Sequence, residues 1–375
     1  MAQKIVYWLL IALIFTLGFG QLLRFEFFSV PIYLHDILVI VLLALLLTRT
    51  FLNRRPEQSS SRDTEGGRRV LMGTIGISLF LLSLLISSLY ALTLYPLSSL
   101  LVPSLYMFRL LAYVALYFLI KQSKINIPLK YFYISALVSL CIGLLQYFLL
   151  PDMRILKYLG WDDHLSRLTL PHFDPTFTAV MLGLALLIIP VNNWYLSLLF
   201  SFGILLTYSR SVWLSLGLTF TFFMLKSKKF SFLLLGICLL VIGVLFLPKK
   251  FGEGTNLLRT YSITSRFESD ISYIQKYKWD LLIGRGMNTL ILDAGNSKYP
   301  DHATGPNNSY LYLLTTTGVL GIVGWGIFMF SLYTKSTHKP MLMFFFLASL
   351  FNNVMFYPLA LLWVLLIEVM APTSV

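Results

Sequence analysis

Apolar runs about as long as a bilayer crossing recur along the whole chain, and they leave it very few folds to choose from. A helix needs roughly 20 apolar residues to cross hydrocarbon. Such runs fall near 4–23, 30–48, 70–92, 98–120, 131–150, 174–191, 193–208, 211–225, 230–248, 308–333, 340–354 and 356–372. The last two are divided by Asn352-Asn353 and Pro358 and read as a tight hairpin rather than one broken helix. Only 12% of the residues are charged, against about 25% in an average soluble domain. In lipid every backbone N–H and C=O must be paired inside the segment, so helices are the expected solution. The sequence therefore predicts an all-α, polytopic transmembrane helical bundle of about twelve spans, one integral membrane domain over 1–375. The run beginning at Lys4 lacks a small-residue cleavage site and reads as a retained first span.

The charges orient the bundle. A formal charge of +13 would suggest nucleic acid in a soluble protein. Here the basic residues sit in short loops and on one polar face, so they read as topology signals and as a site for an anionic membrane ligand, with no nucleic acid partner. Arg49, Arg54, Arg55, Arg62, Arg68 and Arg69 flank the segment 50–69. Lys121, Lys124 and Lys130, then Lys226, Lys228 and Lys229, then Lys335 and Lys339 flank later turns. All fall on one side if both termini are cytoplasmic. Segment 50–69 is then a flexible cytoplasmic loop, and its PEQSSSRDTEGG stretch has the composition of a disordered tether. The polar segments 151–173 and 249–307 face outward. Lys249 and Lys250 oppose the rule, but long loops translocate largely regardless of charge.

The outer segment 249–307 is the longest polar stretch, and loops on a rigid scaffold carry function. Within it Ser265 and Glu268 fit a capping box, with Ser265 as N-cap. Phe267, Ile271 and Ile274 follow at helical spacing. They read either as an amphipathic helix lying on the membrane surface or as a lid on the bundle.

Arginines crowd the outward face: Arg154, Arg167, Arg210, Arg259, Arg266 and Arg285. The guanidinium fork matches phosphate oxygens bidentately. Arg210 stands between two apolar runs with only serines beside it, where an arginine either meets an anion or snorkels to headgroups. Arg285 lies in Gly284-Arg285-Gly286, a sequence that permits close approach of a ligand or makes a plain turn. Asp174-Pro175 reads as a helix N-cap followed by an N1 proline. Arg109 and Asp36, both within spans, read as an intramembrane ion pair. Glu368 sits near a helix end, and Cys141 and Cys238 lie in apolar runs that exclude a disulfide framework. His35, His164, His172, His302 and His338 lack metal-ligand spacing, so no protein-held metal and no cofactor are expected.

Three stretches carry a family likeness. They are Arg167 to Leu182 (RLTLPHFDPTFTAVML), then Thr207-Tyr208-Ser209-Arg210-Ser211, then Ile283-Gly284-Arg285-Gly286-Met287 with Asn307-Asn308-Ser309-Tyr310-Leu311 and the glycines Gly318 and Gly321. Their order resembles the O-antigen ligase and O-antigen polymerase superfamily of bacterial envelope proteins, from about the second span to the C-terminus. The resemblance implies a glycosyltransferase in the bacterial cytoplasmic membrane with an extracytoplasmic site. Its donor would be an undecaprenyl-pyrophosphate-linked oligosaccharide, with no nucleotide sugar. Membrane lipids and, in the cell, a flippase and a chain-length regulator would be its partners.

By that resemblance Arg210 and Arg285 grip the pyrophosphate leaving group, helped by Arg167, Arg266 and Arg259. Asn307, with Asn308 and Tyr310, would contact sugar. One position departs: Asn307 stands where ligases carry a histidine thought to act as base. His302 or Asp301 in the same segment would have to replace it, or the reaction would need little base help. The departure favours a polymerase over a standard ligase. A lipid-linked sugar transporter, the reading from another class, would place its charges near the midplane, where only Arg109 and Asp36 lie.

Overall fold

The structure is a computed structural model describing residues 2–27, 30–52, 64–123, 125–227, 243–245, 247, 253–293 and 305–370. It is predominantly helical. In chain order the helices are α1 (Ala2–Gly18), α2 (Leu34–Leu52), α3 (Thr64–Leu94), α4 (Leu97–Ser123), α5 (Lys130–Leu149) and α6 (Pro175–Leu186). They continue with α7 (Trp194–Leu206), α8 (Arg210–Lys226), α9 (Tyr261–Lys276), α10 (Ser309–Lys335), α11 (Lys339–Phe351) and α12 (Pro358–Met370). A two-stranded antiparallel hairpin, β1 (Arg24–Phe27) and β2 (Val30–Tyr33), links α1 to α2. This hairpin takes up the start of the run expected to be helical from residue 30.

Among the described residues five helices are long and apolar enough to cross a membrane: α2, α3, α4, α5 and α10. Their outer faces expose Ile40, Leu85, Leu101, Phe148 and Phe330, a pattern suited to hydrocarbon rather than water. The runs expected at 4–23, 174–191, 193–208, 340–354 and 356–372 form shorter apolar helices of 10–17 residues. At 1.5 Å per residue a helix of 12 or 13 residues reaches only about 20 Å, short of a hydrocarbon core of about 30 Å. The run 230–248 lies almost wholly outside the described residues. The flexible loop expected at 50–69 is helical at both ends, since α2 runs to Leu52 and α3 starts at Thr64; residues 53–63 lie outside the description.

Two of the short helices, α6 and α12, form the centre. α12 is buried all round, with every residue from Leu359 to Ile367 at 1% exposure or less. A helix apolar on every side must be enclosed by others, and α12 packs on α4, α1 and α6. α11 instead packs on α8, α10 and α6. The chain therefore breaks between α11 and α12, as expected, but the two helices share only α6 as a main neighbour and do not pair with each other as a tight hairpin. The most extensive helix pair is α3 with α10. There Gly76 and Gly324 face each other so closely that a Cβ on either would lie within 2.6 Å of the other helix's backbone. Small residues permit that approach, and dispersion contacts along the whole seam follow from it.

α10 is broken at Gly318, whose φ of 69° and ψ of −173° only glycine adopts readily. The segment 282–286 fills the break. Arg285 N donates to Thr315 O at 2.9 Å, Gly286 N to Thr316 O at 2.9 Å, and Val319 N to Leu282 O at 3.2 Å. Thr315 O, Thr316 O and Val319 N, beside the kink, thus find partners in the inserted segment. The close approach permitted by Gly284 is thus to the backbone of α10: a Cβ at 284 would lie 2.5 Å from Gly318 N.

The connecting segments at one end of the bundle bind one another. Gln146 of α5 donates to Arg167 O and accepts from Thr169 N, Leu168 N donates to Leu206 O, and Asn352 Nδ2 donates to Ser211 Oγ at 3.0 Å. Arg266 donates to Phe351 O, and Tyr90 and Tyr95 at the end of α3 donate to Asp280 and Asp293. That shared end carries the candidate site.

Candidate functional site

Four of the six arginines expected on the outward face converge. Arg167 sits in the loop before α6, Arg210 opens α8, and Arg259 and Arg266 come from the segment containing α9. Arg210 Nη1 donates to Leu257 O at 2.8 Å and Arg259 O at 2.7 Å. The first residue of α8 thereby fixes the backbone that carries Arg259. Gly254 holds Arg167 and Arg259 side by side: a Cβ there would lie 3.0 Å from Arg167 Cδ and 3.8 Å from Arg259 Nη1. Arg167 is 6% exposed, and its Nε donates to Thr207 O at 2.9 Å. Arg266 Nη1 donates to Phe351 O at 3.0 Å.

The hydrogen bonds of Arg167 and Arg266 go to neutral carbonyls, which leave the charge in place. Burial, then the neighbouring Arg259 charge, pull the Arg167 pKa down to about 9, with Asp174 opposing. Burial lowers that of Arg266 too, against Asp174 and Asp162. A guanidinium that burial and like charge push toward neutrality is one that an incoming anion would stabilise.

The loops that assemble this cluster are conformationally unusual. Ser166, Phe173 and Tyr208 have φ of 51°, 61° and 53°, a region that costs side-chain-bearing residues about 1–3 kcal/mol each. Tyr208 is 1% exposed, so packing enforces its backbone. Asp174 is the expected N-cap: its Oδ1 accepts from Thr176 N at 2.6 Å and Phe177 N at 3.0 Å, with Pro175 next.

His164 belongs to the cluster and was not selected from sequence. It is 7% exposed, and its Nε2 has no hydrogen-bond partner among the described residues. Burial lowers its pKa to about 4; Asp174 opposes, and the Arg167 and Arg259 charges reinforce the shift. It is therefore neutral at pH 7. The clue was the run Asp162-Asp163-His164 only three residues before Arg167, which a search for metal spacing passes over.

The remaining candidates have other positions. Arg285 is held apart in a carboxylate cage: Nη1 lies 2.6 Å from Asp280 Oδ2 and Nη2 3.2 Å from Asp293 Oδ2. Its Nε and Nη2 donate to Tyr95 Oη, and its guanidinium lies over the Tyr95 and Tyr277 rings. It ties α3 to the segment after α9. Arg154 pairs with Asp152 on the surface. Asn308 is the N-cap of α10, accepting from Tyr310 N and Leu311 N. Tyr310 Oη donates to Phe346 O at 3.1 Å, and Asn307 is half-buried just before the cap. His302 and Asp301 lie outside the described residues. Arg109 and Asp36 form the expected pair at 2.8 Å. α9 begins at Tyr261 with Thr260 at its N-cap, five residues ahead of the expected Ser265 cap. Its Ile263 and Phe267 point outward at 61% and 67% exposure, while Arg266 turns inward.

Among the described residues no group of His, Cys, Asp and Glu is arranged to hold a metal ion. Comparison with known protein families and with curated proteins finds no match to this chain.

Proposed function

We propose that the chain is a membrane glycosyltransferase that polymerises or transfers oligosaccharide units carried on a polyprenyl pyrophosphate at the outer face of the membrane. The observation that carries this reading is the convergence of Arg167, Arg210, Arg259 and Arg266 from three separate segments at one end of an apolar bundle. The outward apolar side of α9 would keep that end at the headgroup level, where a lipid-borne diphosphate lies.

The reaction breaks the bond between the anomeric carbon and a phosphate oxygen, and the diphosphate leaves with the electron pair. Negative charge grows on that oxygen in the transition state. Fixed guanidinium groups there bind the transition state better than the ground state. The attacking acceptor hydroxyl forms the new glycosidic bond and gives up its proton. His164 Nε2, neutral and without a partner among the described residues, is the group in the cluster suited to take it. A bound diphosphate offsets the arginine charges and raises the basicity of His164 only when the donor is in place. Arg285, Asn308 and Tyr310 act in this reading as structural supports for the segment around the site.

The test is incubation of purified protein with a defined polyprenyl-pyrophosphate-linked oligosaccharide. Longer lipid-linked products, absent with Arg210→Ala, are expected. Movement of the lipid-linked sugar across a vesicle membrane with no new glycosidic bond would replace this reading with a transporter.

A further inference from the structure

A cavity of about 380 Å³ has none of the four cluster arginines on its wall. Phe177 and Asn353 line it. Phe177 N is bonded to Asp174, and Asn353 follows Asn352, whose amide holds Ser211 beside Arg210. The cavity and the cluster are thus joined through two short stretches of chain. Its volume is in the range of small-molecule sites.

The chemistry of the wall narrows the occupant. Gln21 is 4% exposed and its Oε1 has no hydrogen-bond partner among the described residues. Its Nε2 donates to Tyr357 Oη at 3.4 Å, and Tyr357 is held in turn by His172 at 3.0 Å. The Asn353 Oδ1 on the same wall likewise has no partner among the described residues. Buried amide oxygens require donors, which an ionised phosphate lacks and a lipid tail lacks altogether. Two arginines, Arg24 and Arg109, stand on the wall. Arg109 is already committed to Asp36 and to Pro31 O, and the two amide oxygens are what a neutral, donor-bearing occupant would satisfy. Around these amides stand the rings of Tyr106, Trp161, Tyr312 and Tyr357. The electron-rich face of such a ring attracts polarised C–H groups, which a pyranose presents on its flat sides. Its hydroxyls, on the rim, are both donors and acceptors and satisfy an amide whichever way that amide is turned.

We propose that this cavity is a carbohydrate subsite that seats a neutral sugar residue of the glycan beside the diphosphate site. It rests on the glycosyltransferase reading for its biological role but not for its chemistry. The experiment is calorimetric titration of the full chain in lipid nanodiscs with two probes. One is the free oligosaccharide released by mild acid from the lipid-linked glycan, and the other is inorganic pyrophosphate. Gln21→Leu, Asn353→Ala and Tyr106→Ala are each expected to weaken oligosaccharide binding by about tenfold, on the order of one lost charge-free hydrogen bond or ring contact. Pyrophosphate binding should stay within about twofold of wild type, since its site is intact. Oligosaccharide binding that is absent in wild type, or unchanged in all three variants, overturns the proposal. So does joint loss of both affinities in all three, which would make these residues structural. If the variants lose the oligosaccharide selectively but the wild type forms no glycosidic bond, the subsite stands and the transferase reading falls.

Discussion

The arginines of this chain sort by what holds them. Arg109, Arg154 and Arg285 meet carboxylates, whereas Arg167 and Arg266 meet carbonyls. The second kind has no carboxylate bonded directly to it and keeps more of its attraction for an anion. Arg167→Ala or Arg210→Ala should therefore abolish glycan extension while inserted protein remains, read from the length ladder of products. Arg285→Ala should act on stability: with Asp280 and Asp293 left unpaired we expect a loss of about 3 kcal/mol, measured by unfolding in detergent. An unchanged unfolding midpoint would remove that assignment. Sequence alone pooled these arginines, because the carboxylates that set Arg285 apart lie in the same polar segment and nothing in the spacing shows which of them fold back on it. His164 makes a second prediction. In the free protein its pKa is depressed to about 4, below the ordinary 6.5. It is neutral above both values, and stability falls as pH drops from about 6.5 toward 4 because the unfolded chain then binds the extra proton. Donor binding raises the pKa, so the acidic limb of kcat should lie at higher pH than that of kcat/KM. His164→Ala should depress kcat by roughly 10²-fold or more and erase the difference; coincident limbs in the wild type would count against it as the proton acceptor.

At the level of elements the decisive contact is a loop threaded into a helix. The likeness of Gly284-Arg285-Gly286 and Gly318 to a known signature pointed to chemistry. Their geometry shows backbone accommodation, with 282–286 supplying the hydrogen bonds that α10 loses at Gly318. No periodicity could reveal this, because residues 282–286 and 318 are distant in sequence and the α10 run reads as continuous apolar sequence. The caps were more legible, since Asp174 followed by Pro175 acts within a few residues of itself. The cap of α9 was misplaced because Thr260, lacking a side-chain cap bond, leaves no mark. A prediction belongs here. Gly318→Ala would drive a Cβ into Leu282 O at a backbone conformation that favours glycine. Gly326→Ala, on the same helix, meets nothing within 4 Å. We expect the first to cut the yield of folded protein severely and the second to be neutral or slightly stabilising. Equal behaviour of the two in a detergent thermal melt would show that the break in α10 is not needed.

For the whole molecule, the expectation of a helical membrane protein needed only the recurrence of apolar runs. The lengths of the central helices did not follow from it. A run of apolar sequence reads the same whether lipid or other helices surround it, and α6 and α12 are surrounded by helices. The side on which the arginines lie rests on charge counting, and it is open to direct measurement. The basic residues Lys121, Lys226, Lys335 and Lys339 lie at helix ends opposite those that carry the arginine cluster. By the positive-inside rule the cluster is then expected to face outward. Trp279, beyond α9, is 79% exposed, and Lys226, at the far end of α8, is exposed as well. With Cys141 and Cys238 replaced by alanine, Trp279→Cys should react with a membrane-impermeant maleimide in intact cells stripped of outer layers. Lys226→Cys should react only after permeabilisation. The opposite pattern would put the guanidinium cluster in the cytosol, where a diphosphate carried on the outer leaflet cannot reach it. The glycan-transfer reading would then fail even with every side-chain contact in the cluster intact.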